Sequence, residues 1–169
     1  MKTLRGFIAI LSLTFAAAFA VSAQSITSLD GASVNVAGQN GKVVVLAIGA
    51  SWLPLSNKQA EFTNALAKKY AGRNVVFYFI ATDSTNAGSK NFASIDSIRR
   101  FANGNKLTVS VLRDTDGAAT LRKFSVEQVP SFVILDKTGK QAGEPIGGID
   151  PTGKYDITIP ISKAIDRLL

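Results

Sequence analysis

Two stretches of this 169-residue chain are apolar at every position: Val43-Val44-Val45-Leu46-Ala47-Ile48 and Val75-Val76-Phe77-Tyr78-Phe79-Ile80-Ala81. A strand with one wet face alternates polar and apolar residues; a strand with no wet face does not. Between the two runs, Phe62, Ala65, Leu66 and Tyr70 recur at helical spacing, with lysines opposite and Gly72 just beyond. That pattern predicts an amphipathic helix over Lys58 to Tyr70. Strand, helix, strand is the parallel crossover unit, and a sheet buried on both faces needs helices on both.

The remaining signals extend that unit. Ser33 to Val36 alternates and sits between Asp30-Gly31 and Gly38-Gln39-Asn40-Gly41, so it reads as a short strand. Ile95, Ile98, Arg99 and Phe101-Ala102 predict a helix stopped by Asn103-Gly104-Asn105. Val109 to Leu112 is a strand candidate, Ala118 to Phe124 a short helix, and Ser131 to Leu135 a further strand. Asp136 to Lys140 turns the chain so that Gln141 to Ile146 returns antiparallel. Ile161, Ala164, Ile165 and Leu168 form a closing amphipathic helix. The expected class is α/β, with a central mixed sheet flanked by helices.

The N-terminus reads as an address. Lys2 and Arg5 precede Phe7 to Ala20, a run of 14 uncharged residues, and Val21-Ser22-Ala23 closes it with small ones. This is the pattern of a secretory signal peptide over residues 1–23, cleaved after Ala23. The run is too short for a stable membrane span. The mature chain, 24–169, is then one exported domain, periplasmic or extracellular, carrying 17 positive and 12 negative charges, a net of +5. Its cations are scattered, without the basic stripe and interleaved aromatics that nucleic-acid binding asks for. The sequence has neither Cys nor His. Disulfides, thiolate metal sites, thiol catalysis and any Ser-His-Asp triad are thereby excluded, and no cofactor or metal is expected.

Three local features stand in a telling order. Gly49-Ala50-Ser51-Trp52-Leu53-Pro54-Leu55-Ser56 joins a buried strand to a helix; Val129-Pro130 enters a later strand; Asp136-Lys137-Thr138-Gly139-Lys140 turns into a hairpin. Together with a hairpin around Leu29-Asp30-Gly31 and the Arg113-Asp114-Thr115-Asp116-Gly117 turn, they resemble the thioredoxin superfamily, and within it the exported reductases of the TlpA and ResA type. The resemblance implies a thioredoxin-like fold with an N-terminal β-hairpin extension, and a cis Pro130 facing the first helix. It also locates a departure. Leu53 stands where that family has its nucleophilic cysteine, and Ser56 where it has the resolving one. Leucine carries no nucleophile, and a serine without an adjacent base is not one at neutral pH. Thiol–disulfide exchange is closed to this chain.

The same segment admits other uses. Ser56 and Gln59 form the S-x-x-Q pattern of a capping box, worth about 1 kcal/mol. Pro54 suits a first helical turn. Trp52 either packs over the helix start or presents an aromatic for docking. The resemblance implies a peptide groove built from Trp52, Leu53, Pro54, Val129 and Pro130, in which a bound peptide pairs as an added strand. Asp83-Ser84-Thr85-Asn86 reads as a loop and helix-cap cluster. Asp114-x-Asp116-Gly117 begins like a calcium loop but lacks the later ligands, so it reads as a turn and cap. Gly147-Gly148 lacks the strand-then-helix context of a phosphate loop. The expected role is a redox-inactive module that binds a peptide or protein of the cell envelope. The rivals are an acquired enzymatic activity and a scaffold subunit that works through another surface.

Overall fold

The computed structural model describes residues 26–169, so the signal-peptide reading of residues 1–23 lies outside the described residues. Five strands, β1 (Thr27–Ser28), β2 (Val43–Gly49), β3 (Val75–Ala81), β4 (Ser110–Arg113) and β5 (Ser131–Leu135), form one sheet in the order β1-β4-β3-β2-β5. Helices α1 (Pro54–Lys69), α2 (Ile95–Gly104) and α3 (Thr158–Leu168) flank it. The central pairs β2–β3 and β3–β4 are parallel; the outer pairs β2–β5 and β1–β4 are antiparallel. This is the mixed sheet that the two apolar runs demand.

All seven residues of β2 are buried, and they feed two cores. Val43, Val45 and Ala47 face Leu66, Tyr70, Phe79, Phe132, Ile161 and Ile165 on the helical side. Val44, Leu46 and Ile48 face Val36, Ile80, Leu112, Phe124 and Val133 on the other. Alternation along one strand thus fills both layers, which is why no position could be polar.

Several expectations shift. The expected strand Ser33–Val36 is not formed. Ser33 makes a single bridge to Thr27, and Val36–Gly38 is a 3-10 turn capped by Asn35, whose Oδ1 accepts from Gly38 N. The hairpin at Leu29-Asp30-Gly31 is real but only two residues of it, Thr27–Ser28, extend the sheet. The expected helix Ala118–Phe124 is replaced by a 3-10 turn, Thr115–Gly117, and a run of looser turns. Asp116 (φ 55°) and Gly117 (φ 67°) adopt the left-handed conformation, which breaks helical propagation. The Asp114 carboxylate instead accepts from Ala119 N, Thr120 N and Thr120 Oγ1, so the turn-and-cap reading of that segment holds. The return Gln141–Ile146 meets β5 at only two bridges, Leu135–Gln141 and Phe132–Ile146. Between them lies Gly143-Glu144-Pro145, where a positive-φ glycine and a proline without N–H interrupt the ladder.

Candidate functional site: the start of the first helix

α1 begins four residues earlier than its apolar periodicity suggests, with Pro54 at the first turn and Leu53 at the N-cap, which has no side-chain cap. Proline fits there because the first helical N–H needs no intrahelical acceptor. The capping box is not formed. Ser56 and Gln59 both lie inside the helix on its buried face, together with Thr63. Ser56 Oγ accepts from Ala50 N at 3.1 Å, tying the loop after β2 to the helix. Gln59 Nε2 donates to Ile48 O at 3.2 Å and to Ser131 O at 2.9 Å, so one amide clamps α1 across β2 and β5. The box fails because the helix starts earlier than the pattern assumes: a capping box needs its serine at the N-cap, and Ser56 is already the third helical residue. Gly49 makes room. A Cβ there would collide with Gln59 Oε1 and lie 2.8 Å from Ser56 Oγ.

Asp83 also departs from the cap reading. It is fully buried at the end of β3, and its carboxylate accepts from Ser51 N at 3.0 Å and 3.1 Å and from Ser51 Oγ at 2.7 Å. The loop carrying Trp52 is therefore fastened from below as well as from the helix. The Ser84-Asn86 part behaves as expected, with Ser84 Oγ accepting from Asn86 N and Asn86 Oδ1 from Gly88 N. Neighbouring Arg113 is buried; its guanidinium donates to Ser84 O and Ala93 O and knits this loop to β4. Sequence reasoning missed the roles of Gln59 and Asp83. The available signal was a polar stripe, Ser56, Gln59 and Thr63, on the helix face opposite the lysines.

Above this fastening, Trp52 is 45% exposed, Pro54 exposed and Leu53 half-buried. The Val129–Pro130 bond is cis, Pro130 is buried and Val129 half-buried. Pairing of Ile48 with Ser131, reinforced by Gln59, brings Val129-Pro130 to the same end of the sheet as the Trp52 loop. Of the five expected groove residues, three thus lie on the loop and two at the head of β5. Among the described residues, neither the N–H nor the C=O of Val129 has a hydrogen-bond partner. No group of three or more metal-ligating side chains occurs among the described residues.

The sequence profile of the Redoxin family matches residues 17–143, three-quarters of the chain. The chain belongs to the Redoxin family. No curated protein matches it in sequence. Solved structures share its fold. Mycobacterium tuberculosis DsbF, seen in mixed oxidised and reduced forms, superposes with a TM-score of 0.65 at 22% identity, over 87% of this chain and 96% of that one. A secreted M. tuberculosis disulfide oxidoreductase homologous to E. coli DsbE gives 0.63 at 24%, over 85% and 95%. A thioredoxin-like protein from Aeropyrum pernix gives 0.66 at 20%, over 85% and 88%. At such identities the likeness is one of fold, and the fold is thioredoxin-like. This redoxin carries Leu53 and Ser56 at its helix start and no thiol anywhere in its sequence.

Proposed function

We propose that this redoxin is an exported, redox-inactive binding protein that holds a peptide or protein partner of the cell envelope at Trp52, Leu53, Pro54, Val129 and Pro130. The observation that carries this reading is the backbone of Val129, unpaired among the described residues, at the same end of the sheet as an exposed tryptophan. An extended segment laid along Val129 exchanges main-chain hydrogen bonds with it, while Trp52 and Leu53 cover apolar side chains of the same segment. Ser56 supports a binding rather than a catalytic role. It is buried, its oxygen is occupied by Ala50 N, and it presents nothing to a partner. Leu53 makes the floor more apolar than a thiol does. The leader pattern in residues 1–23 supports export.

The test is chemical cross-linking in the native cell envelope, followed by mass spectrometry, on the wild type and a Trp52→Ala/Leu53→Asp variant. Aspartate at position 53 is a good N-cap, so α1 is preserved or strengthened. The expected result is a partner captured by the wild type and reduced tenfold or more by the variant. Equal capture by both moves the function to another surface and favours a scaffold.

A further inference from the structure

The fold gathers cations that the sequence scatters. Along α3, Ile159, Ser162, Lys163, Asp166 and Arg167 follow at spacings of three and four, and with Lys69 of α1 they border an open concavity of about 500 Å³. Tyr70, just past the end of α1, joins the two helices here: its one hydroxyl proton is shared between Ser162 O at 3.1 Å and Asp166 Oδ1 at 3.0 Å. Asp166, the one carboxylate bordering the concavity, is also paired with Arg73 at 3.3 Å. Lys69, Lys163 and Arg167 form no ion pair among the described residues. Ile159 is 67% exposed, and Tyr155, four residues before it, 48%. They are two of the four large hydrophobic residues left exposed among the described ones. The core does not need them, because Ile157, Ile161 and Ile165 supply the buried face of α3.

We propose that this face of α3 rests on an anionic phospholipid surface, with Ile159 and Tyr155 in the headgroup layer and Lys69, Lys163 and Arg167 over the phosphates. Charge complementarity argues for it: long cationic side chains around isolated protruding apolar ones are the pattern of a peripheral membrane contact. A stable protein interface instead asks for a contiguous apolar centre with a polar rim. Ile159, bordered by Lys69, Lys163 and Arg167, with Tyr155 in the turn before α3, lacks that centre. This inference is independent of the groove proposed above, since Trp52 and Val129 border none of it.

The test is flotation of the mature chain, 24–169, with vesicles of phosphatidylglycerol and phosphatidylethanolamine against vesicles of phosphatidylcholine. The wild type is expected to float with the anionic vesicles only, and to be released near 1 M salt, where the screening length falls to about 3 Å. Lys163→Gln/Arg167→Gln is expected to weaken partitioning roughly 25-fold, about fivefold per cation. Ile159→Asp is expected to weaken it at least as much as one lost cation. An acid in the first turn of α3 favours the helix, so that loss does not come from unfolding. Lys42→Glu/Lys90→Glu reverses two exposed charges elsewhere and is expected to change partitioning less than the double glutamine variant. Four results overturn the proposal: no flotation by the wild type, equal flotation with phosphatidylcholine, an equal or larger loss in the Lys42/Lys90 variant, or release by millimolar inorganic phosphate. The last assigns the face to a free anion. Capture of an acidic protein by this face, without vesicle binding, also overturns it.

Discussion

At the scale of single residues, the start of α1 is a braced frame that carries no thiol. Leu53 occupies the N-cap and Ser56 the third helical position, where the amide groups and dipole of α1 favour negative charge. A thiol at position 53 would have its pKa drawn below the ordinary value of about 8.5 by that environment. We therefore expect Leu53→Cys/Ser56→Cys to turn an inactive protein into a measurable dithiol reductase in an insulin-precipitation assay, with Leu53→Cys alone reactive toward alkylating agents but without turnover. Silence of the double variant would mean that the loop no longer positions a thiol for attack. That this segment joins a buried strand to a helix was legible from the apolar run before it and the helical period after it. The work of Ser56 and Gln59 was not. Both residue types serve as caps and as bridges; the helix starts at Pro54, which takes Ser56 off the N-cap, and the backbone of Ala50 then holds Ser56 while that of Ile48 and Ser131 holds Gln59.

At the scale of elements, the two continuous apolar runs and the three long helices were readable because burial on a whole face imposes a period. The short pieces were not. Ser33 to Val36 alternates like a strand, yet among the described residues it is bridged to the sheet at Ser33 alone, and the chain turns away at the 3-10 turn that Asn35 caps. Ala118 to Phe124 has helical composition and makes the helical bonds Leu121 N to Gly117 O and Phe124 N to Thr120 O, but positive φ at Asp116, Gly117 and Ser125 confines it to turns. One motif recurs at three turns. Asp136, Asp150 and Asp156 each accept from the backbone N–H and the hydroxyl of the threonine two residues on. The threonine hydroxyl, then its N–H, holds each carboxyl below the usual aspartate range. A depressed folded-state value stabilises above the unfolded one, and the stabilisation disappears as pH falls through the folded value. Asp156 sits at the head of α3, so that helix should fray first in acid as Asp156 becomes protonated. Thr158→Val should return the Asp156 titration toward its ordinary midpoint, as followed by carboxyl NMR shifts, while Asp136 and Asp150 stay put.

At the scale of the whole molecule, β2 belongs to both cores, so neither layer can melt alone. Leu46 lies on one face and Val45 on the other, both fully buried. Leu46→Ala is expected to cost about 2–5 kcal/mol, and Val45→Ala somewhat less. Each should shift a single denaturant transition, with the fluorescence of the sole tryptophan, Trp52, coinciding with far-UV circular dichroism. Separate transitions by the two probes would show that the loop releases before the sheet.

The loop itself is secured by Ser51, Ser56, Gln59 and Asp83. Trp52, Leu53 and Pro54 contribute no side-chain hydrogen bond to that anchorage. The three outward residues are thus like bits in a fixed socket: they can be exchanged by mutation without loosening what grips them. Such a place is a solvent-facing platform on which partners can be tried one side chain at a time.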